Sequence, residues 1–134
     1  HPLLGVGLDN FIGHYQHYIR PEAMAEPDLS HPHNWVLDFW LRMGLPGLAA
    51  FVWLILRWVG QAVALRRRRL DPALQALTIG LIAAMCDMLV HGLIDAAFFV
   101  VELAGLFALL AGLVRAMGEV TRGDGHEASE VGLR

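Results

Sequence analysis

Residues 45–69 read LPGLAAFVWLILRWVGQAVALRRRR, and this segment decides the fold. Its apolar part, 45–65, has about the ~20 residues that an α-helix needs to cross a bilayer. Pro46 falls in the first turn, where its missing N–H costs little. Four consecutive arginines, 66–69, then close the run. A basic run also suits nucleic acid, but this one lies between apolar spans with no interleaved aromatic residues, which excludes nucleic acid as a partner. Basic residues gather on cytoplasmic loops, so the run is expected inside and fixes the orientation of everything around it.

Working outward, two further apolar stretches follow. Asp71-Pro72 is a helix start, and residues 73–95 form a second crossing that runs outward. Residues 96–115 form a third that returns, after a tight turn near Asp95 to Phe98. Arg115, Arg122 and Arg134 then fall on the inside again, in independent agreement with the rule. Residues 116–134 are polar and glycine-dotted, and are expected to be a disordered cytoplasmic tail. The whole chain has 134 residues, 56% of them hydrophobic, and a mean hydropathy of +0.49. A soluble domain has nearer ~45–50% apolar residues. The expected class is an all-α membrane protein with three transmembrane helices.

Residues 1–44 precede the first crossing as an extracytoplasmic loop. The prolines of RPEAMAEPDLSHPHN (20–34) favour an ordered loop with at most one short helix. Asn34 can cap the helix WVLDFWLRMG, which ends at Gly44. Trp35, Phe39 and Trp40 recur at helical spacing, as on a helix lying at the headgroup level. Cys86 is the single cysteine, so no internal disulfide forms. No signal peptide is visible, and the chain reads as the C-terminal piece of something longer.

Several groups could carry chemistry. His31 and His33 stand at the mouth of the greasy run, just before the Asn34 cap. A neutral imidazole is the readiest general base near pH 7. A helix N-terminus favours the neutral ring and offers free N–H groups to an anion. The alternative is a loop whose histidines only cap and hydrogen-bond. His31-x-His33 could also bind a metal with His14 and His17, but zinc wants three or four ligands, and no metal set is assigned. Arg20, in the same loop, suits a phosphate, or it pairs with Glu22. Asp87, His91 and Asp95 lie at i, i+4 and i+8 on one helix face. Such groups in a bilayer line cavities or pair, and His91 and Asp95 fall toward the outer end. Arg57 and Glu102 are assigned no role. Gly5-x-Gly7 is no nucleotide motif, since Asn10 stands where the third glycine belongs.

GVGLDNF (5–11), then an arginine, then HPHNWVLDFWLRMGLPGL (31–48), then HGLIDAAFF (91–99) together resemble the C-terminal core of the O-antigen ligase and polymerase superfamily. The resemblance covers roughly residues 1–114. It implies a fragment of a larger multi-pass helical bundle of the GT-C type, with about a dozen crossings in complete members. It also implies a metal-independent, inverting glycosyltransferase that needs no cofactor. Its donor would be an undecaprenyl-pyrophosphate-linked glycan, and its acceptor a glycan, a lipid A core sugar or a protein hydroxyl. The enzyme would sit in the cytoplasmic (inner) membrane with the 31–34 loop on the periplasmic or extracellular side. By position, His33 matches the family histidine that activates the acceptor, and Arg20 the arginine that grips the pyrophosphate. His31, Asn34, His91 and Asp95 would contact substrate. A transporter, or a non-catalytic membrane module of the same superfamily, is the alternative.

Overall fold

The structure is a computed structural model that describes residues 1–20, 22, 29, 31–95, 98, 99 and 101–131, with side chains to Thr121. Among these residues four helices follow one another: α1 (Phe11–Tyr15), α2 (Trp35–Arg66), α3 (Pro72–His91) and α4 (Val101–Val131). No strand occurs among the described residues. Three of the helices, Trp35–Arg66, Pro72–His91 and Val101–Thr121, are long and apolar enough to cross a membrane. The 20 residues of α3 reach about 30 Å at 1.5 Å per residue, which matches the hydrocarbon thickness.

The first of these is two helical pieces joined at a break. Gly44 has φ 68 and ψ −169, a backbone region essentially reserved for glycine. Pro46, two residues on, has no N–H to give to Arg42 O. The carbonyls beside the break are taken instead by the N-terminal segment: Val6 N donates to Leu41 O (2.6 Å) and Gly7 N to Arg42 O (3.1 Å). A Cβ on Gly5 would meet the backbone of Leu41, Arg42 and Gly44, and one on Gly44 would collide with Leu3 and Leu4. Glycine is therefore required on both sides of this contact.

The starts of α2 and α3 are capped by side chains. Asn34 Oδ1 accepts from Val36 N and Leu37 N, and Asp71 Oδ1 from Ala73 N and Leu74 N, with Pro72 in the first turn. The core lies among α2, α3 and α4. Trp58, Ala62 and Leu65 pack against Leu81 and Met85 and against Leu110, Val114 and Met117. Trp58 Nε1 also donates to Leu110 O. Many other large apolar side chains, Trp53, Leu56 and Leu109 among them, are exposed, as suits helices surrounded by lipid rather than water.

Three differences from the sequence reading stand out. Trp35 and Phe39 do not lie outward: they pack with Phe51, Phe98 and Phe107 in an aromatic cluster. Only Trp40 faces outward, donating from Nε1 to Pro2 O. Helix α4 runs to Val131, past position 116 where a disordered tail was expected. Its polar C-terminal part keeps a helical backbone, and Arg115 and Glu119 pair at i, i+4 there (3.0 Å). Helix α3 ends at His91, and Asp95 lies in the turn beyond it. The expected start of the third crossing at Ala96, the turn around Ala97 and most of the 20–34 loop lie outside the described residues.

Candidate functional site

The site is built where α2 begins and α3 ends. Asn34 and Trp35, the cap and first residue of α2, tie themselves to the end of α3 and the turn that follows it. Asn34 Nδ2 donates to Leu93 O (3.0 Å), Trp35 N to Gly92 O (2.7 Å), and Trp35 Nε1 to Leu89 O (3.1 Å). Asn34 thus caps its own helix with its oxygen and grips the neighbour with its nitrogen. A Cβ on Gly92 would press on Trp35 and Phe98, so the close approach needs that glycine. The aromatic cluster beneath holds the following turn against α2.

This joint carries His31 and His33 to Asp95, more than sixty residues away in sequence. His33 Nδ1 is 3.0 Å from Asp95 Oδ1, and His31 Nε2 is 3.9 Å from the same oxygen. The two rings lie 5.2 Å apart. A carboxylate can only accept, so His33 carries its proton on Nδ1 and presents Nε2 as an acceptor. The ring is 48% exposed, within reach of a solute. The hydrogen bond from His33 holds the Asp95 carboxyl below the usual carboxylate range, with the nearby His33, His31 and His91 acting the same way.

The structure therefore gathers His31, His33, Asn34 and Asp95 into one cluster. His91 adjoins it through a cavity of about 190 Å³ lined by Asp87, His91, Asp95 and Phe98 with apolar neighbours. Arg20 is not joined to it. It is exposed beyond α1, and among the described residues it makes no ion pair with Glu22. His14 and His17 are likewise outside the cluster, and His17 Nδ1 pairs with Gly13 O instead. Among the described residues, the ligand atoms of His31, His33 and Asp95 lie within 4.8 Å of one another, close enough to meet on one metal.

A second polar network went unread in the sequence. Asp38, 1% exposed, accepts from Arg42 Nε (2.6 Å), and Arg42 Nη1 donates to Asp9 (2.8 Å). Arg42 also stands over the Phe99 ring at 4.7 Å. The i, i+4 spacing of Asp38 and Arg42 in an apolar helix was the available signal. The network clamps the N-terminal segment and the Phe98–Phe99 turn onto α2.

Three helices of spanning length around an apolar core, with a polar corner at one end, define a multi-pass membrane protein. Residues 1–52 match the family model described as O-antigen ligase, so over that part the chain is similar to O-antigen ligases, as its motifs indicated. The matched region holds His31, His33, Asn34 and the Gly44 break, while Asp95 lies beyond it. No curated protein and no solved structure matches the chain.

Proposed function

We propose that this corner serves glycan transfer from an undecaprenyl-pyrophosphate carrier to a hydroxyl of a sugar or protein, on the outer face of the cytoplasmic membrane. The observation that carries the reading is the His33–Asp95 pair. Its tautomer leaves Nε2 as a base, and its carboxylate stabilises the imidazolium that forms. His33 takes the acceptor proton, the acceptor oxygen attacks the anomeric carbon from the face opposite the leaving group, and the bond from that carbon to the pyrophosphate breaks. Configuration inverts in one displacement. Arg20 is the cation assigned to the departing pyrophosphate, a role that a guanidinium fills without a metal. His31 and Asn34 border the acceptor position, and His91 lies behind Asp95.

Replacing His33 by Ala in the intact protein, assayed for glycan transfer in membranes, should lower the rate at least ~10²-fold. Undiminished transfer ends the proposal. Arg20→Lys keeps the charge but loses the two-pronged geometry, and should also impair transfer. The Asp87, His91 and Asp95 cavity favours one competing reading, ion-coupled transport. Uptake into liposomes that depends on Asp87, with no glycan product, would replace the first reading by the second.

A further inference from the structure

Asp95 Oδ1 is shared by two imidazoles. His33 Nδ1 stands 3.0 Å from it and His31 Nε2 3.9 Å, and all three ligand atoms fall within 4.8 Å. Tetrahedral zinc, with bonds of about 2.0–2.1 Å, holds its ligand atoms roughly 3.3–3.4 Å apart. The observed spacings bracket that value, so small side-chain rotations suffice to bring the three atoms onto one ion. Two imidazoles and one carboxylate suit Zn²⁺ rather than Mg²⁺ or Ca²⁺, which prefer oxygen alone. His33 and Asp95 are 48% and 55% exposed, so an aqueous ion can enter and a water can complete the coordination. Asn34 and Trp35 fix the joint on both sides, which sets the ligands before any ion arrives.

We propose that His31, His33 and Asp95 form an inhibitory Zn²⁺ site. The atom of His33 that would bind the ion is the one that now donates to Asp95. Zinc on Nδ1 requires the neutral ring to carry its one proton on Nε2. The proton is conserved and only its nitrogen changes, passing through solvent. Nε2 then becomes a donor, and His33 can no longer accept a proton from a hydroxyl. Zinc and the acceptor proton thus compete for opposite tautomers of one ring. The binding half of this inference stands on the geometry, and the inhibitory half rests on His33 being the base.

The test uses the intact protein, purified and stripped with chelator, then titrated with Zn²⁺ alone against a chromophoric competitor. One ion per chain is expected, with Mg²⁺ failing to displace it. Co²⁺ should give the visible absorption of a tetrahedral site. His31→Ala and Asp95→Ala should each weaken binding more than about tenfold. His31→Cys, which restores a zinc ligand, should recover it and show that the loss in His31→Ala is not misfolding. In the transfer assay, micromolar Zn²⁺ should suppress the rate and chelator restore it. Absence of zinc binding, or equal affinity in wild type, His31→Ala and Asp95→Ala, overturns the site even if His33→Ala abolishes transfer. Tight binding with transfer unaffected overturns the inhibition. If His33→Ala is then also fully active, the failure belongs to the base assignment and not to the metal site.

Discussion

Asp95→Asn isolates what the carboxylate does for His33. The amide fits the same space, but it can offer an N–H to Nδ1 and so stabilise the tautomer with its proton on Nε2. Transfer should fall about 10²–10³-fold, mainly in kcat, with the carrier's KM little changed. An unaltered kcat would mean that Asp95 does not orient the ring. The sign of its titration also follows. Asp95 is held below its ordinary value of 3.8, so what it contributes to stability is fully present above about that pH. That contribution is lost only as pH falls through the lowered folded value. The His33–Asp95 contact, followed through the carboxyl carbon shift by NMR, should keep an ionised Asp95 down to about pH 4. Protonation of Asp95 near pH 6 would contradict it.

Among elements, the joint between α2 and α3 is the one whose loss should be felt at the site. Asn34→Ala removes the cap, worth about 1 kcal/mol, and also the tie to Leu93 O. Asn34→Asp keeps a capping oxygen and loses only the donor, so thermal unfolding in detergent should rank wild type above Asp and Asp above Ala. Gly44→Ala should cost at least about 2 kcal/mol, because φ +68 is strained for any side chain and the Cβ would strike Leu3 and Leu4. An unfolding midpoint equal to wild type would contradict the docked position of the N-terminal segment. The Asn34 cap and the Gly44 break were legible in the sequence because each is written locally, in a few adjacent residues. What the break is for was not. Val6 and Gly7 meet Leu41 and Arg42 across some thirty-five residues, and no periodicity encodes such a pairing. Nor did spacing reveal that Trp35 and Phe39 turn inward, since an interfacial ring and a buried one leave the same pattern.

At the scale of the molecule, the three crossings were readable from length and apolarity alone, since a bilayer accepts few other solutions. The site was half readable. His31, His33 and Asn34 announce themselves as polar groups before a greasy run, whereas Asp95 becomes their partner only once α3 folds back against α2. Arg20, chosen for its charge, has no described contact that brings it to them. The proposed orientation has a direct check in a Cys86→Ser background. Tyr18→Cys, at an exposed position, should react with an impermeant maleimide in intact cells, and Arg69→Cys only after permeabilisation. The reverse pattern would invert the topology and remove the histidines from any outer-face carrier.

The three hydrogen bonds from Asn34 and Trp35 to α3 have a mechanical consequence as well. With the 67–71 connection at the far end, they close the α2–α3 hairpin into a loop fastened at both extremities. Helix α4 is tied in as well: Trp58 donates to Leu110 O at mid-helix, and Arg68 to Gly118 O and Thr121 Oγ1 beside the connection. When the surrounding lipid thins or thickens, a bundle fastened at these points tilts as one body to match it. The spacing between His33 and Asp95 then stays constant across membranes of different depth.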